Sequence, residues 1–426
     1  MTTVSIADIQ VLPLEVKIAD RIAESNGSIQ FVSQLKYQSP QLTSPRPFES
    51  PPTSDTLTII QYSPELGTLI GPSPTHSLLL STLTTSKNPF FHEACVYLPR
   101  TDELYLTSNL LQSSSTSLYP TILISRLKLT RSPSSLQPNT IAKLDWAKLR
   151  PPPGIDMPNG GTAYREGILF CAQGSVVPGT GGIYYMPRTA PPQALVKGWY
   201  GREFNSVNDV VVTRDGGIWF TDPCYGFEQG FRRRPELPNQ VYRFEPTTGE
   251  CRVVAGEWER CCGICFSPDE RRCYVTDTGM VHGDGTRDLM RPATIYVFDV
   301  VYEGGQPFLK GRRTFAFPTR GVPDGVRCDE HGNVYAGTGA GLEIWNEGGC
   351  LLGRIDVPGG KGIANFGFGK EGEIFLCGEQ RLWVVQLDGG KVEERRRVEE
   401  EERRRVERER EEEAERRRVV EESEVD

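Results

Sequence analysis

The chain is poor in the groups that most hydrolytic machinery needs. Its 426 residues include four histidines, His76, His92, His282 and His331. No Gly-x-Ser-x-Gly elbow presents a nucleophilic serine, so a serine-hydrolase triad has no local support. His92-Glu93 is not followed by a histidine at position 96, which removes the helical zinc motif of metalloproteases. No run approaches the roughly 18 apolar residues that span a bilayer. The first twenty residues carry Asp8, Glu15 and Asp20 and no basic segment ahead of an apolar core, which reads against a secretory leader. The net charge of −8 disfavours nucleic acid as a partner. Eleven cysteines, an odd number, follow no framework spacing, and several such as Cys95, Cys171, Cys328 and Cys377 fall in strand-like runs. They read as buried reduced thiols of a cytoplasmic protein, with a secreted location left open.

What the chain does have is a repeat. Residues 205–223 read as a β-branched strand, an Asp-Gly turn at Gly216 and a second strand, with Asn208 just before the first strand. Similar units follow Asn159, with its turn glycine at Gly167, and Asp324, with Gly332. Others follow Cys262, with Glu270 at the turn, and Asn365, with Gly372. Glu93 opens another, with its turn near Thr101. A third strand-like run follows each hairpin, at Thr121, Gly182, Gln240, Thr294, Leu342 and Arg381. Six units spaced roughly fifty residues apart predict an all-β fold, a six-bladed β-propeller, rather than a sandwich.

In such a ring the starts of the innermost strands converge on one mouth of the central channel. Glu93, Asn159, Asn208, Cys262, Asp324 and Asn365 are therefore candidates for one shared site. Carboxylate and amide oxygens are hard ligands and suit one divalent cation, Ca²⁺ before Zn²⁺. Strand capping would use the same residue types one at a time; six at matched positions point to a site. Among the histidines, His282 lies in a loop from which it can reach the mouth and touch substrate. His92 adjoins Glu93, and strand alternation faces it away. Cys262-Gly-Ile-Cys265 is spaced as a C-x-x-C pair, but positions three apart on a strand point to opposite faces. Gly367 to Gly372 matches G-x-G-x-x-G ahead of a strand rather than a helix, so it reads as a repeat turn.

Residues 1–55 form a Ser/Pro-rich extension that is expected to be flexible. The propeller is expected over 56–390, with Ser77–Leu83 completing the last blade as its outer strand. The stretch from Ser113 to Pro153, the loop from Gly230 to Pro238 and the segment from Thr278 to Arg291 read as insertions on the mouth face. Residues 391–426 hold 12 basic and 16 acidic residues of 36 and predict a charged helical or disordered tail, with pairs such as Glu399/Arg403 in helix-supporting order. Deleting that tail is expected to leave the thermal midpoint nearly unchanged, because almost no apolar surface goes with it. A fall of more than a few degrees in a melting curve would show that it docks on the blades.

Several segments resemble fungal lactonohydrolase-like proteins of the senescence-marker-protein/gluconolactonase/luciferin-regenerating-enzyme-like superfamily. They include Phe91-His-Glu-Ala-Cys-Val-Tyr, Asn159-Gly-Gly-Thr, Ile218-Trp-Phe-Thr-Asp-Pro, Leu237-Pro-Asn-Gln-Val-Tyr-Arg-Phe, Tyr274-Val-Thr-Asp-Thr-Gly and Pro323-Asp-Gly. The resemblance covers roughly residues 60–390. It implies a six-bladed propeller with a divalent cation, usually Ca²⁺, in the channel. It places the metal glutamate on Glu93, one metal asparagine on Asn208 and the metal aspartate on Asp324. A second metal asparagine is replaced by Cys262. The implied activity is opening of a small lactone of aldonolactone or pantolactone type by a monomer. Asp324, or a water that it orients, would act as general base, and Asn159 and Asn365 would hold the substrate. The alternative is a non-catalytic propeller that binds a ligand or a protein partner.

Overall fold

The computed structural model of the chain describes residues 57–387 apart from 72–73, 112–119, 133–140 and 361, together with the backbone of 30–31. Six antiparallel sheets follow one another as the blades of a propeller. The first blade is Glu93–Leu98, Glu103–Thr107, Ile124–Arg131 and Ile141–Leu149. The second is Pro158–Tyr164, Gly167–Ala172, Gly182–Met186 and Gln193–Val196. The third is Val210–Val212, Ile218–Asp222, Gln240–Glu245 and Glu250–Ala255. The fourth is Cys261–Phe266, Arg272–Asp277, Thr294–Glu303 and Gln306–Ala316. The fifth begins with Val326–Cys328, Val334–Thr338, Gly341–Trp345 and Leu351–Asp356. The sixth takes Phe366–Phe368, Glu373–Gly378 and Arg381–Gln386 from the end of the described chain and Thr75–Ser81 from its beginning. That last pairing closes the ring as the sequence predicts.

One apolar layer fills each gap between neighbouring blades. Trp219 and Val241 of the third blade meet Ile264 and Phe298 of the fourth. Tyr274 and Ile295 of the fourth meet Val334 and Trp345 of the fifth. Phe366 and Trp383 of the sixth pack on Tyr335 and Leu342 of the fifth. The sheets are buried on both faces, which is why their strands read as continuous apolar runs. The near-constant spacing of the hairpins has a backbone cause. Gly216 and Gly332 take φ of 86° and 84° at the turns, a conformation that costs glycine nothing. In the second blade Arg165 takes that role at φ 51°, and Gly167 instead opens the second strand, where a Cβ would meet the Met186 carbonyl oxygen at 2.2 Å.

Two expectations need correction. The stretch from 113 to 153 is not an insertion, because it carries the third and fourth strands of the first blade. The fifth blade, moreover, carries two added strands and is six-stranded. Thr58–Gln61 pairs antiparallel with Leu351–Asp356, and Gln30–Phe31 pairs parallel with Thr58–Gln61. A helix, Pro64–Ile70, follows; the Ser63 hydroxyl caps it and Pro64 fills its first turn. Its Leu66 and Ile70 are buried with Leu352 and Ile355, so this flank of the blade is covered. The tail at 391–426 and nearly all of the extension at 1–55 lie outside the described residues.

Candidate active site

Each first strand starts at the mouth, and each second strand returns to it. In three blades the ladder between them carries a one-residue bulge at that start. The breaks lie between Glu93 and Val96, Pro158 and Gly161, and Cys261 and Ile264. A bulge bends the strand and re-aims the extra side chain. Ala94 and Cys95 take left-handed φ of 62° and 56° there. Threonine hydroxyls then tie each of three blades to the next. Thr107 donates to the Asn159 carbonyl at 2.9 Å, Thr221 to that of Cys262 at 2.5 Å and Thr276 to that of Asp324 at 2.9 Å. The backbone is packed closely here, since a Cβ on Gly160 would lie 2.4 Å from the Asn208 carbonyl oxygen.

The side chains gather as follows. The Asn365 amide donates to Glu93 Oε2 at 2.6 Å, and its own oxygen accepts the Phe366 N–H at 2.8 Å. Asp324 and Cys262 interact side chain to side chain, and Cys262 Sγ is 3.2 Å from the Thr278 hydroxyl. Asn208 is 6% exposed. Asn159 Oδ1 is buried without a hydrogen-bond partner among the described residues. His92 Nδ1 lies 2.8 Å from Glu379 Oε1. His282 stands apart on the loop of the fourth blade, its Nδ1 2.6 Å from an Arg260 nitrogen and 4.0 Å from Glu228 Oε1. No contact joins it to Glu93, Asp324 or Cys262.

Residues 146–377 match the sequence profile of the SMP-30/Gluconolactonase/LRE-like region. The chain belongs to this family. The SMP-30/gluconolactonase/LRE-like chain is 30% identical over 311 residues to lactonohydrolase oryL of Aspergillus oryzae, covering 68% of this chain and 65% of that one. It is 29% identical over 210 residues to a gluconolactonase of Zymomonas mobilis, covering 47% and 55% respectively. The match thus spans less than two thirds of either relative's length. In structure it resembles a gluconolactonase from Xanthomonas campestris, with a TM-score of 0.57 and 22% identity over 81% of this chain and 99% of that one. Of the six ring positions, all but Glu93 fall within the matched span.

Electrostatics at the mouth of this SMP-30/gluconolactonase/LRE-like propeller is one-sided. Burial pushes the Glu93 carboxyl up to about 8, helped by the charge of Asp324 and opposed by His92 and Asn365. Burial likewise raises Asp324 to about 6, against the pull of His92, with Asp209 and Glu379 adding to the rise. Burial alone would lower His92, yet Glu379, Glu93 and Asp324 together hold it up at about 10. The His92 ring is held by Glu379 at 2.8 Å and lies within the field of Glu93 and Asp324. Asp209 and Arg327 complete the group: Asp209 Oδ2 is 3.6 Å from an Arg327 nitrogen and accepts the Ile264 N–H at 3.2 Å. Arg327 also reaches the Ala94 carbonyl at 3.4 Å, so it links the fifth blade to the third and the first. Four carboxyl groups, Glu93, Asp209, Asp324 and Glu379, thus face two cations, His92 and Arg327. Sequence reasoning missed Asp209, Glu379 and Arg327, although an arginine on an otherwise apolar inner strand was a visible signal.

Among the described residues no three His, Cys, Asp or Glu side chains form a ready-made metal cluster. A divalent ion here would rest on two carboxylates and an amide, from Glu93, Asp324 and Asn208. That donor set is hard and suits a divalent cation, whose charge would favour the ionised form of Glu93. Cys262 adds little to it, because burial and the charges of Asp324 and Glu93 hold its thiol well above the usual range.

Replacing Arg327 by methionine is expected to cost about 3 kcal/mol or more of stability, since Asp209 is left as a buried, uncompensated carboxylate. Adding Asp209→Asn to that variant should recover part of the loss. Urea unfolding measures both; a single variant as stable as wild type would show that the pair is not coupled.

Proposed function

We propose that this chain hydrolyses small lactones and holds a divalent cation, Ca²⁺, at Glu93, Asn208 and Asp324. What supports the reading is the gathering of four carboxyl groups against two cations at the channel mouth, with an amide oxygen from the same set of matched positions, Asn159 Oδ1, buried without a partner among the described residues. The names of the relatives support the reaction class. When bound, the cation would polarise the lactone carbonyl and stabilise negative charge developing on its oxygen.

The chain's own residues supply the rest. The Asp324 carboxylate takes a proton from the water that attacks the carbonyl carbon. Its raised pKa, about 6, makes it a stronger base than an exposed aspartate while leaving it ionised at neutral pH. As the ring C–O bond breaks, the protonated Asp324 returns the proton to the leaving alkoxide, and a hydroxy acid leaves the site. Asn159 Oδ1 accepts a hydrogen bond from a substrate hydroxyl. Asn365 keeps the Glu93 carboxylate oriented through its 2.6 Å hydrogen bond. His92, charged and anchored by Glu379, offsets part of the carboxylate repulsion.

Hydrolysis of aldonolactones and pantolactone by the purified protein, with and without EDTA, tests the reading. Turnover that EDTA suppresses and Ca²⁺ restores is expected; turnover insensitive to chelation would remove the metal. A non-catalytic binding propeller is the competing reading, favoured by Cys262 standing where an amide would serve a metal better. No turnover on a broad lactone panel, with no Ca²⁺ binding at millimolar metal, would select it.

A further inference from the structure

A cavity of about 590 Å³ opens on the face where the channel mouth lies. Its wall comes from loops between blades and from loops that follow second strands, which both lie on that face. Lys87, Arg287, Arg320 and Glu379 are its charged lining residues. Glu379 connects it to the site, because its carboxylate is engaged by His92 at 2.8 Å. Arg320 is occupied too, by the carbonyls of Gly339 and Gly360 at 2.6 and 3.2 Å. Lys87 and Arg287 are different. Both are exposed, and neither side chain has an ion pair or hydrogen bond among the described residues. Two unengaged cations in one cavity, on a chain of net charge −8, reverse the sign of the surface locally.

We propose that the substrates of this site carry an anionic group, a carboxylate or phosphate remote from the scissile ring ester, which Lys87 and Arg287 receive. The inference rests on the lactonase reading for what the substrate is, and on the cavity alone for its charge. A cavity of this volume holds a small ring together with a charged substituent. Hydrogen bonds from cationic donors to an anion are among the stronger ones available to a binding site. The three glycines of the wall, Gly321, Gly339 and Gly360, carry no side chains to crowd the substituent.

The test separates charge recognition from catalysis. The purified chain is titrated calorimetrically, at low ionic strength, with 3-oxocyclopentane-1-carboxylate and with its carboxamide. These probes match in shape and contain no ring ester to cleave. The carboxylate is expected to bind at least about tenfold more tightly, with the advantage shrinking as salt is added. In the double variant Lys87→Ala/Arg287→Ala the preference should fall to near parity. The conservative pair Lys87→Arg/Arg287→Lys should keep it. Equal binding of the two probes, no binding of either, or a preference that survives the double alanine variant would overturn the proposal. A preference that stands while no lactone is hydrolysed would remove the lactonase reading and leave the anion site.

Discussion

The Asp324→Asn variant is expected to hydrolyse lactones about a thousandfold more slowly than wild type, the range set by loss of a positioned general base. The substitution keeps the shape of the side chain and removes its charge. It leaves in place the backbone contacts that hold residue 324, namely its N–H to the Gly337 carbonyl at 2.8 Å and the Thr276 hydroxyl on its own carbonyl at 2.9 Å. The fold should survive, and with less carboxylate repulsion at the mouth the thermal midpoint should not fall. Because Asp324 is also placed among the metal donors, Ca²⁺ affinity has to be measured beside kcat. A loss of turnover that saturating Ca²⁺ cannot restore assigns the proton transfer to Asp324. A variant that keeps most of its turnover would sink that assignment.

The Cys262→Asn variant should move the other way and bind Ca²⁺ about tenfold more tightly, the gain of roughly 1.4 kcal/mol expected when a neutral oxygen donor replaces a group that offers none. Cys262 lies with Asp324, 3.2 Å from the Thr278 hydroxyl, so an asparagine amide there can face the carboxylates and keep a partner in Thr278. A cysteine in that place loosens Ca²⁺ when protonated and draws a softer metal when ionised. Burial and the neighbouring carboxylates favour the protonated thiol, which is a weak ligand for either ion. Calorimetric titration of wild type and variant with Ca²⁺, and with Zn²⁺ as the comparison metal, decides. Unchanged Ca²⁺ affinity would mean that residue 262 does not reach the ion, and tighter Zn²⁺ than Ca²⁺ binding by wild type would restore the soft-metal option.

The architecture was legible because each blade is written locally, as strand, tight turn and strand, and because closure by a strand near residue 80 follows from the geometry of rings. The added strand Thr58–Gln61 was not, since a four-residue run beside a Pro/Ser-rich stretch has no period of its own; the helix after it was readable in Ser63-Pro64-Glu65. At the site, the matched positions located Glu93, Asn365, Cys262 and Asp324, which the fold brings together. Glu379 and Arg327 escaped because their roles depend on pairing across the ring. His282 was placed by its loop alone, and in the structure it lies against Arg260 and Glu228. The two thiols of the C-x-x-C spacing have separate partners, Cys265 lying 3.7 Å from Cys328 Sγ and Cys262 3.2 Å from the Thr278 hydroxyl, with the bulge after Cys261 between them and regular alternation.

Closure of the ring also sets when the candidate site can assemble. The hydrogen bond from Thr82 to the Gln380 carbonyl joins residues 298 positions apart, and that from Asn365 to Glu93 joins residues 272 apart. Loop-closure entropy delays such contacts relative to the local hairpins. During synthesis the first five blades can assemble in succession as an open arc, while Glu93 waits at one end for Asn365 at the other. The Glu93–Asn365 contact is therefore among the last to form, and a ribosome that stops before the final blade releases a chain of nearly complete secondary structure with an uncovered apolar face at each end of the arc and Thr75–Ser81 left without its partner strand. For such a chain, recovery of Ca²⁺ binding on refolding would report ring closure more faithfully than recovery of its β-sheet circular dichroism.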